Sequence, residues 1–338
     1  MNEFLVKPNI IKENYSTFKD LGPVYFPLKA NNSECILNIL KANFDKVDKF
    51  AISSKNQLYI LDFLNIDPLQ ISLINPFFTL DELEDFYSFG IRDFVFDNIN
   101  TFKAFKEKHS DITSSVRLSI SEIFDVDFGF VGASLNNAKK MIKLGCSLSI
   151  YCQASVRNGD FLTKVFNTVK ELKPNVLRLS GITPKHISQI KVFADKTNIK
   201  IITEPGQHLL INSIDYKCDI FDIKTINNTN YIILNTSIFS GLLDTYLYNK
   251  QFDFYIEDML LLNSKKENAK KYVICGCSSD SKDILGTWYL TDDEFNLLLK
   301  TNCVTIKDTG SYFEVFNIKY GKKIDYKYTV LEDLSEDS

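Results

Sequence analysis

The chain reads as an α/β protein, a parallel (β/α)8 barrel of the TIM type joined to a second, C-terminal β-domain. Between about Val24 and Thr203, eight short apolar runs alternate with helical patterns, the signature of parallel strands joined by right-handed helical crossovers. After about Asp215 the period changes to runs that alternate or stay apolar with few helices between them, a β-domain pattern. The 338 residues leave room for a barrel of roughly 250 residues and a smaller domain.

In order, Phe4-Leu5-Val6 is a short strand and Pro8 opens a helix that ends near Gly22-Pro23. Val24 to Leu28 is a buried strand closed by Asn31-Asn32-Ser33, and Cys35, Ile36, Ile39 and Leu40 mark the helix after it. Strand and helix then repeat: Lys49 to Ile52 before Lys55 to Phe63, and Gln70 to Ile74 before Leu80 to Phe89. Phe94 to Phe96 precedes Ile99 to Lys106, and Ser115 to Ile120 precedes Leu135 to Leu144. Ser147 to Tyr151 precedes Gly159 to Leu172, Val176 to Leu179 precedes His186 to Lys196, and Lys200 to Thr203 closes the series. Asp219 to Ile226, Thr229 to Asn235, Lys270 to Ile274, Cys303 to Lys307 and Tyr312 to Ile318 follow as strands. The expected division is a barrel over 22–214, a β-domain from 1–21 and 215–330, and an acidic tail over 331–338. No linker rich in Pro, Gly or Ser separates the two domains.

Net charge is −4 with Lys and Glu scattered, which argues against a nucleic-acid partner, because such binding needs a concentrated basic surface. MNEFLVKPNI lacks a charged region followed by a long apolar core, and no apolar run approaches the ~20 residues that span a bilayer. A cytoplasmic protein without a membrane partner is expected. Seven cysteines without regular spacing read as reduced thiols, and three histidines with an isolated Cys275-Gly276-Cys277 give no zinc pattern, so no metal is expected.

Lys29 sits at the C-terminal end of the first barrel strand, the face where barrels build their chemistry. A lysine buried there loses hydration of its ammonium, its pKa falls, and the amine becomes a nucleophile toward aldehydes. A long cationic stem is also able to lift its charge to water, the plainer use of such a position. Glu204 ends the last barrel strand, and Pro205-Gly206 turns the chain away there; it is either a turn-flanking carboxylate or a functional one.

Lys29 in FPLKAN, Asn75-Pro76 in LINPFF, Glu204-Pro205-Gly206 in IITEPGQ, Asp280 in CGCSSDSKD and Tyr312 in GSYF follow one another in a familiar order. From about Phe4 to Lys319 the chain resembles the fold-type III pyridoxal-phosphate decarboxylases, the group of ornithine, arginine, diaminopimelate and carboxynorspermidine decarboxylases. The resemblance implies pyridoxal 5'-phosphate as cofactor, a Lys29 aldimine, and a carbanion stabilised through a pyridine nitrogen that Glu204 keeps protonated. It implies decarboxylation of an amino acid, or of a conjugate containing one, to an amine.

By the same resemblance Tyr312 lies near the cofactor, and Asp280 contacts the substrate's distal amine in the neighbouring subunit's site, so the active unit is a homodimer with shared sites. Ser279 stands where the family has a reprotonating cysteine, and Cys277 is the substitute thiol. Gln153 occupies the place of a histidine that stacks on the ring. Gly181 is what remains of a glycine run, and Gln207 replaces an arginine that pairs with phosphate. Ser180, Gly181, Gly206 and the amides around Gln207 are then left to cradle the phosphate through backbone N–H groups. The competing reading is a non-catalytic homologue that keeps the fold and acts by binding a partner.

Overall fold

The computed structural model describes residues 2–126, 129–152, 160–243, 245, 250–311, 313 and 326–331. The chain divides into two compact units, one made of Glu13–Leu209 and the other of Met1–Lys12 with Leu210–Ser338.

The chain begins with strand β1 (Asn2–Val6) and helix α1 (Pro8–Lys19). The unit over 13–209 is then built on the parallel strands β2 (Tyr25–Pro27), β3 (Lys49–Ile52), β4 (Ile71–Leu73), β5 (Asp93–Phe96), β6 (Thr113–Arg117), β7 (Ser147–Tyr151), β8 (Val176–Ser180) and β9 (Lys200–Glu204). They pair in sequence order, β2 through β9. A parallel bridge between Val24 and Thr203 closes the ring, supported by the Thr203 amide donating to the Pro23 carbonyl at 3.0 Å. Helices α2 (Glu34–Asn43), α3 (Lys55–Phe63), α4 (Leu80–Phe89), α5 (Ile99–Lys108), α6 (Leu135–Lys143), α7 (Phe161–Leu172) and α8 (Ile187–Thr197) occupy the crossovers. Local chemistry sets their ends. Thr79 and Glu82 form a reciprocal capping box at the start of α4, which stops at Gly90 with φ +117. Phe26, Leu28, Phe50, Phe94, Val116, Leu148, Ile150, Leu177 and Leu179 are buried and supply much of the unit's core.

Several boundaries differ from the sequence expectation. The strand expected from Asp219 starts at Ile214, and the units divide at 12/13 and 209/210. The sixth strand ends at Arg117 rather than Ile120, because Leu118 leaves the barrel to bridge Ala133 and the chain turns into a 3-10 helix at Ile120–Glu122. Helix α1 ends at Lys19, whose amine is drawn into ion pairs with Asp45 and Asp48 at 2.7 Å each.

In the other unit, the 13-residue strand β10 (Ile214–Ile226) pairs with β1 and later with β11 (Thr229–Leu234), and its register shifts at a bulge between Ile220 and Asp222. The remaining strands are β12 (Phe254–Ile256), β13 (Met259–Leu260), β14 (Lys270–Cys275), β15 (Ile284–Leu290), β16 (Cys303–Ile306) and β17 (Tyr326–Val330). The sheet runs β13-β12-β16-β10-β11-β14-β15, and β1 carries β17 in parallel. Helix α9 (Asp292–Thr301), capped by a Thr291–Glu294 box, stands where the sequence reading had none. The strand expected over 312–318 lies outside the described residues except for Phe313, which is buried and packs edge-on against Phe4 at 4.8 Å between ring centres. The acidic tail from 332 onward also lies outside them. Among the described residues, no helix is long and apolar enough to cross a membrane.

Candidate active site

Lys29 lies two residues beyond β2, in a turn anchored by the Leu28 amide on the Ala51 carbonyl and the Ala30 amide on the Pro27 carbonyl, both 2.9 Å. Leu28 and Ala30 are fully buried, so the lysine stem between them has little freedom. Its amine points over the ring of Tyr151, the last residue of β7, at 5.2 Å from the ring centre. The guanidinium of Arg117, the last residue of β6, lies 5.5 Å from the same ring. Burial, then the Arg117 cation, push the Lys29 ammonium below its ordinary pKa of 10.5, against an opposing pull from Glu204. Burial also lowers the pKa of Arg117, while Glu204, Tyr151 and Asp97 oppose it.

Glu204, buried at the end of β9, is held by Arg178 of β8. Arg178 donates to the same carboxylate oxygen, Oε1, from Nε at 3.0 Å and from Nη2 at 2.6 Å. Its Nη1 donates to Asp93 Oδ1 at 3.0 Å and Ser115 Oγ at 3.4 Å, and Nη2 also reaches Ser72 Oγ at 3.0 Å. Asp93 accepts from Lys49 Nζ at 2.9 Å and from the Tyr25 hydroxyl at 3.1 Å. Burial favours a neutral Asp93, but Arg178 and Lys49 outweigh it and hold the carboxyl below its usual range. Burial opposes charge on Arg178, and Glu204 and Asp93 more than restore it. Lys49, Asp93, Arg178 and Glu204 thus form two cations and two anions threaded through the barrel interior, a charge-balanced chain that ends at the Glu204 carboxylate.

The turn expected to hold an anion is also formed within this unit. Ser180 ends β8, and Gly181 takes φ +74, where a Cβ would stand 2.1 Å from the Cys152 carbonyl oxygen; only glycine fits there. Gly206, at φ +46, opens a 3-10 turn over Gly206–Leu209, and a Cβ on it would meet the Pro27 ring at 3.2 Å, so the turn after Glu204 packs on the strand that leads to Lys29. Gln207 is half-buried in that turn. Gln153 and Tyr312 lie outside the described residues.

Cys277, Ser279 and Asp280 share a loop of the other unit. Cys277 is half-buried and Ser279 exposed, and Asp280 Oδ1 accepts from the Lys282 amide at 2.8 Å. The residue that organises this loop is Asp283, buried, with its carboxylate accepting from the Ile238 amide at 2.8 Å and the Ser278 amide at 3.0 Å.

Tyr151, Arg117, Arg178 and Asp93 escaped the sequence reading. Tyr151 closes its strand as Glu204 does, so the signal that selected Glu204 was available for it; Arg117 was hidden because its strand was read on to Ile120. Arg178 and Asp93 carried a different signal, a charge within or opening an otherwise apolar strand, VLRLS and DFVF.

Residues 9–157 match the family model described as pyridoxal-dependent decarboxylase, pyridoxal binding domain. The fold is similar to that of the arginine decarboxylase of Paramecium bursaria Chlorella virus, 16% identical with a TM-score of 0.78 over 98% of this chain and 96% of that one. The Vibrio vulnificus lysine/ornithine decarboxylase, solved with cadaverine, is 16% identical, with a TM-score of 0.77 over 98% and 95%. The lysine decarboxylase of Selenomonas ruminantium is 17% identical, with a TM-score of 0.76 over 99% and 94%. No curated protein matches the chain in sequence.

Proposed function

Because residues 9–157 match the model of the pyridoxal-binding domain of the pyridoxal-dependent decarboxylases, we propose that this chain binds pyridoxal 5'-phosphate on Lys29 and decarboxylates an amino acid, or a conjugate containing one, to an amine. The observation that carries the reading is the Lys29 amine, kept below its ordinary pKa above the Tyr151 ring, in the turn just beyond the strand that closes the barrel against the strand of Glu204. The donor set fits the group: a nucleophilic amine, a flat aromatic face, a buried carboxylate, a nearby cation, and glycine turns at Gly181 and Gly206.

Pyridoxal phosphate, when bound, supplies an electron-poor ring that takes up the electron pair released as carbon dioxide departs. The chain's own residues do the rest. Lys29 presents an amine that is unprotonated more often than a solvated lysine's and so ready to attack the aldehyde carbon. Tyr151 offers the face on which a planar ring lies, the part sequence reasoning assigned to Gln153. Glu204 holds the proton on the ring nitrogen, and Arg117 supplies positive charge beside the amine. Ser180, Gly181, Gly206 and Gln207 offer the phosphate cradle.

The loop of Cys277, Ser279 and Asp280 completes the reading through a homodimer, with Asp280 binding the distal end of the substrate and the Cys277 thiol, a stronger acid than the Ser279 hydroxyl, delivering the proton to the product carbon. The reading places the protein in the cytoplasm. An amine kept reactive by burial has no use in a homologue that only binds a partner.

Incubation of the purified protein with pyridoxal phosphate, borohydride reduction and peptide mass spectrometry is expected to place the adduct on Lys29. Lys29→Ala is expected to abolish carbon dioxide release from the amino acid that proves to be the substrate. An adduct on a different lysine overturns the assignment.

A further inference from the structure

Arg178 is among the largest fully buried side chains, and all five of its N–H groups have partners: Glu204 from Nε and Nη2, Asp93 and Ser115 from Nη1, Ser72 from Nη2. A guanidinium with every donor engaged, on acceptors from β4, β5, β6 and β9, has one position and one orientation. It fixes Glu204 through one oxygen only, since both bonds fall on Oε1. Oε2 is left to another donor.

We propose that Arg178 is the positioning residue of Glu204: it pins Oε1, so that Oε2 is the oxygen that serves the ring nitrogen of the pyridoxal group. This rests on the reading of the site as a pyridoxal-phosphate site. A glutamate side chain has three rotatable bonds, and on a strand end facing the barrel mouth it has several ways to turn; the double bond to Arg178 leaves one. Because Arg178 is balanced between Glu204 and Asp93, and Asp93 is shared with Lys49, its charge is spread over the network rather than spent on Glu204 alone. Glu204 therefore keeps enough negative character for a second, charge-assisted hydrogen bond.

The test compares two probes, pyridoxal 5'-phosphate and its analogue with carbon in place of the ring nitrogen, through dissociation constants from absorbance titration of the wild-type protein and of Glu204→Gln, Arg178→Met and Arg178→Lys. The wild type is expected to prefer the nitrogen-bearing probe by about tenfold or more, the scale of one charge-assisted hydrogen bond. Arg178→Met is expected to bring that preference close to unity, as Glu204→Gln does. Arg178→Lys retains a charge but not the planar fork, and is expected to lose most of it. A role in packing alone would weaken both probes by the same factor and leave the preference intact, and that result in either arginine variant overturns the proposal. If Arg178→Met does not fold, Arg178→Lys decides. A wild-type protein that binds neither probe overturns the pyridoxal reading instead.

Discussion

At Lys29, burial and the Arg117 cation lower an ammonium pKa that is 10.5 in a free side chain. The sign of the linkage follows. Between the lowered folded value and 10.5 the unfolded chain binds more protons than the folded one, so this residue makes stability rise with pH across that window. Below it, the folded protein carries a poorly hydrated charge that burial disfavours. Lys29→Met is therefore expected to raise the Tm of the cofactor-free protein at pH 7 and to flatten the rise of stability toward pH 10.5, as read by thermal unfolding across that range. An unchanged or lower Tm at pH 7 contradicts the burial argument. Lys29 and Glu204 were singled out in sequence because a strand end followed by a turn marks the working face of a barrel. Arg178 was not, since the acceptors that explain its burial, Asp93 and Ser72, lie 85 and 106 positions away in the chain.

The Gly276–Asp283 loop between β14 and β15 is held by one carboxylate. A Cβ on Gly276 would stand 2.4 Å from both Asp283 oxygens, so the glycine is the space into which that carboxylate fits. Asp283→Ala strands the Ile238 and Ser278 amides and is expected to cost about 2 kcal/mol or more in denaturant unfolding. Asp280→Ala removes only a bond to the Lys282 amide, in an exposed setting, and should change stability far less. Equal losses for the two variants contradict the division of labour. The family resemblance gave Asp280 its prominence, and a turn rich in Ser and Asp does not by itself reveal which carboxylate turns inward. Helix α9 announced itself by a threonine three residues before a glutamate, the local pattern that also opens α4. The β-domain reading passed over it in favour of the surrounding apolar runs.

At the scale of the whole molecule, the proposed homodimer, with Lys29 from one chain and Asp280 from its partner, makes a distinct expectation. Mixed Lys29→Ala and Asp280→Ala chains, each inactive alone, should regain activity at about a quarter of all sites when they assort at random. No rescue after verified subunit exchange would confine both residues to one chain's site or remove Asp280 from it. Strand and helix alternation made the barrel legible from end to end, because each parallel strand pairs with the next in sequence. Of the β-sheet, the sequence reading found β1, β10, β11, β14 and β16 but passed over β12, β13, β15 and β17. The parallel pairing of β1 with β17, Asn2 beside Tyr326, joins nearly opposite ends of the chain, and no short-range pattern encodes it. The seam of the barrel is the bridge from Val24 to Thr203, one short strand ahead of Lys29 on one side and directly ahead of Glu204 on the other. During synthesis on the ribosome, then, Lys29 emerges long before Glu204, and their strands meet only when β9 docks. Closing the ring is therefore what brings the Lys29 turn and the Glu204 carboxylate to neighbouring strand ends, and a chain that stops before β9 has only the first of them.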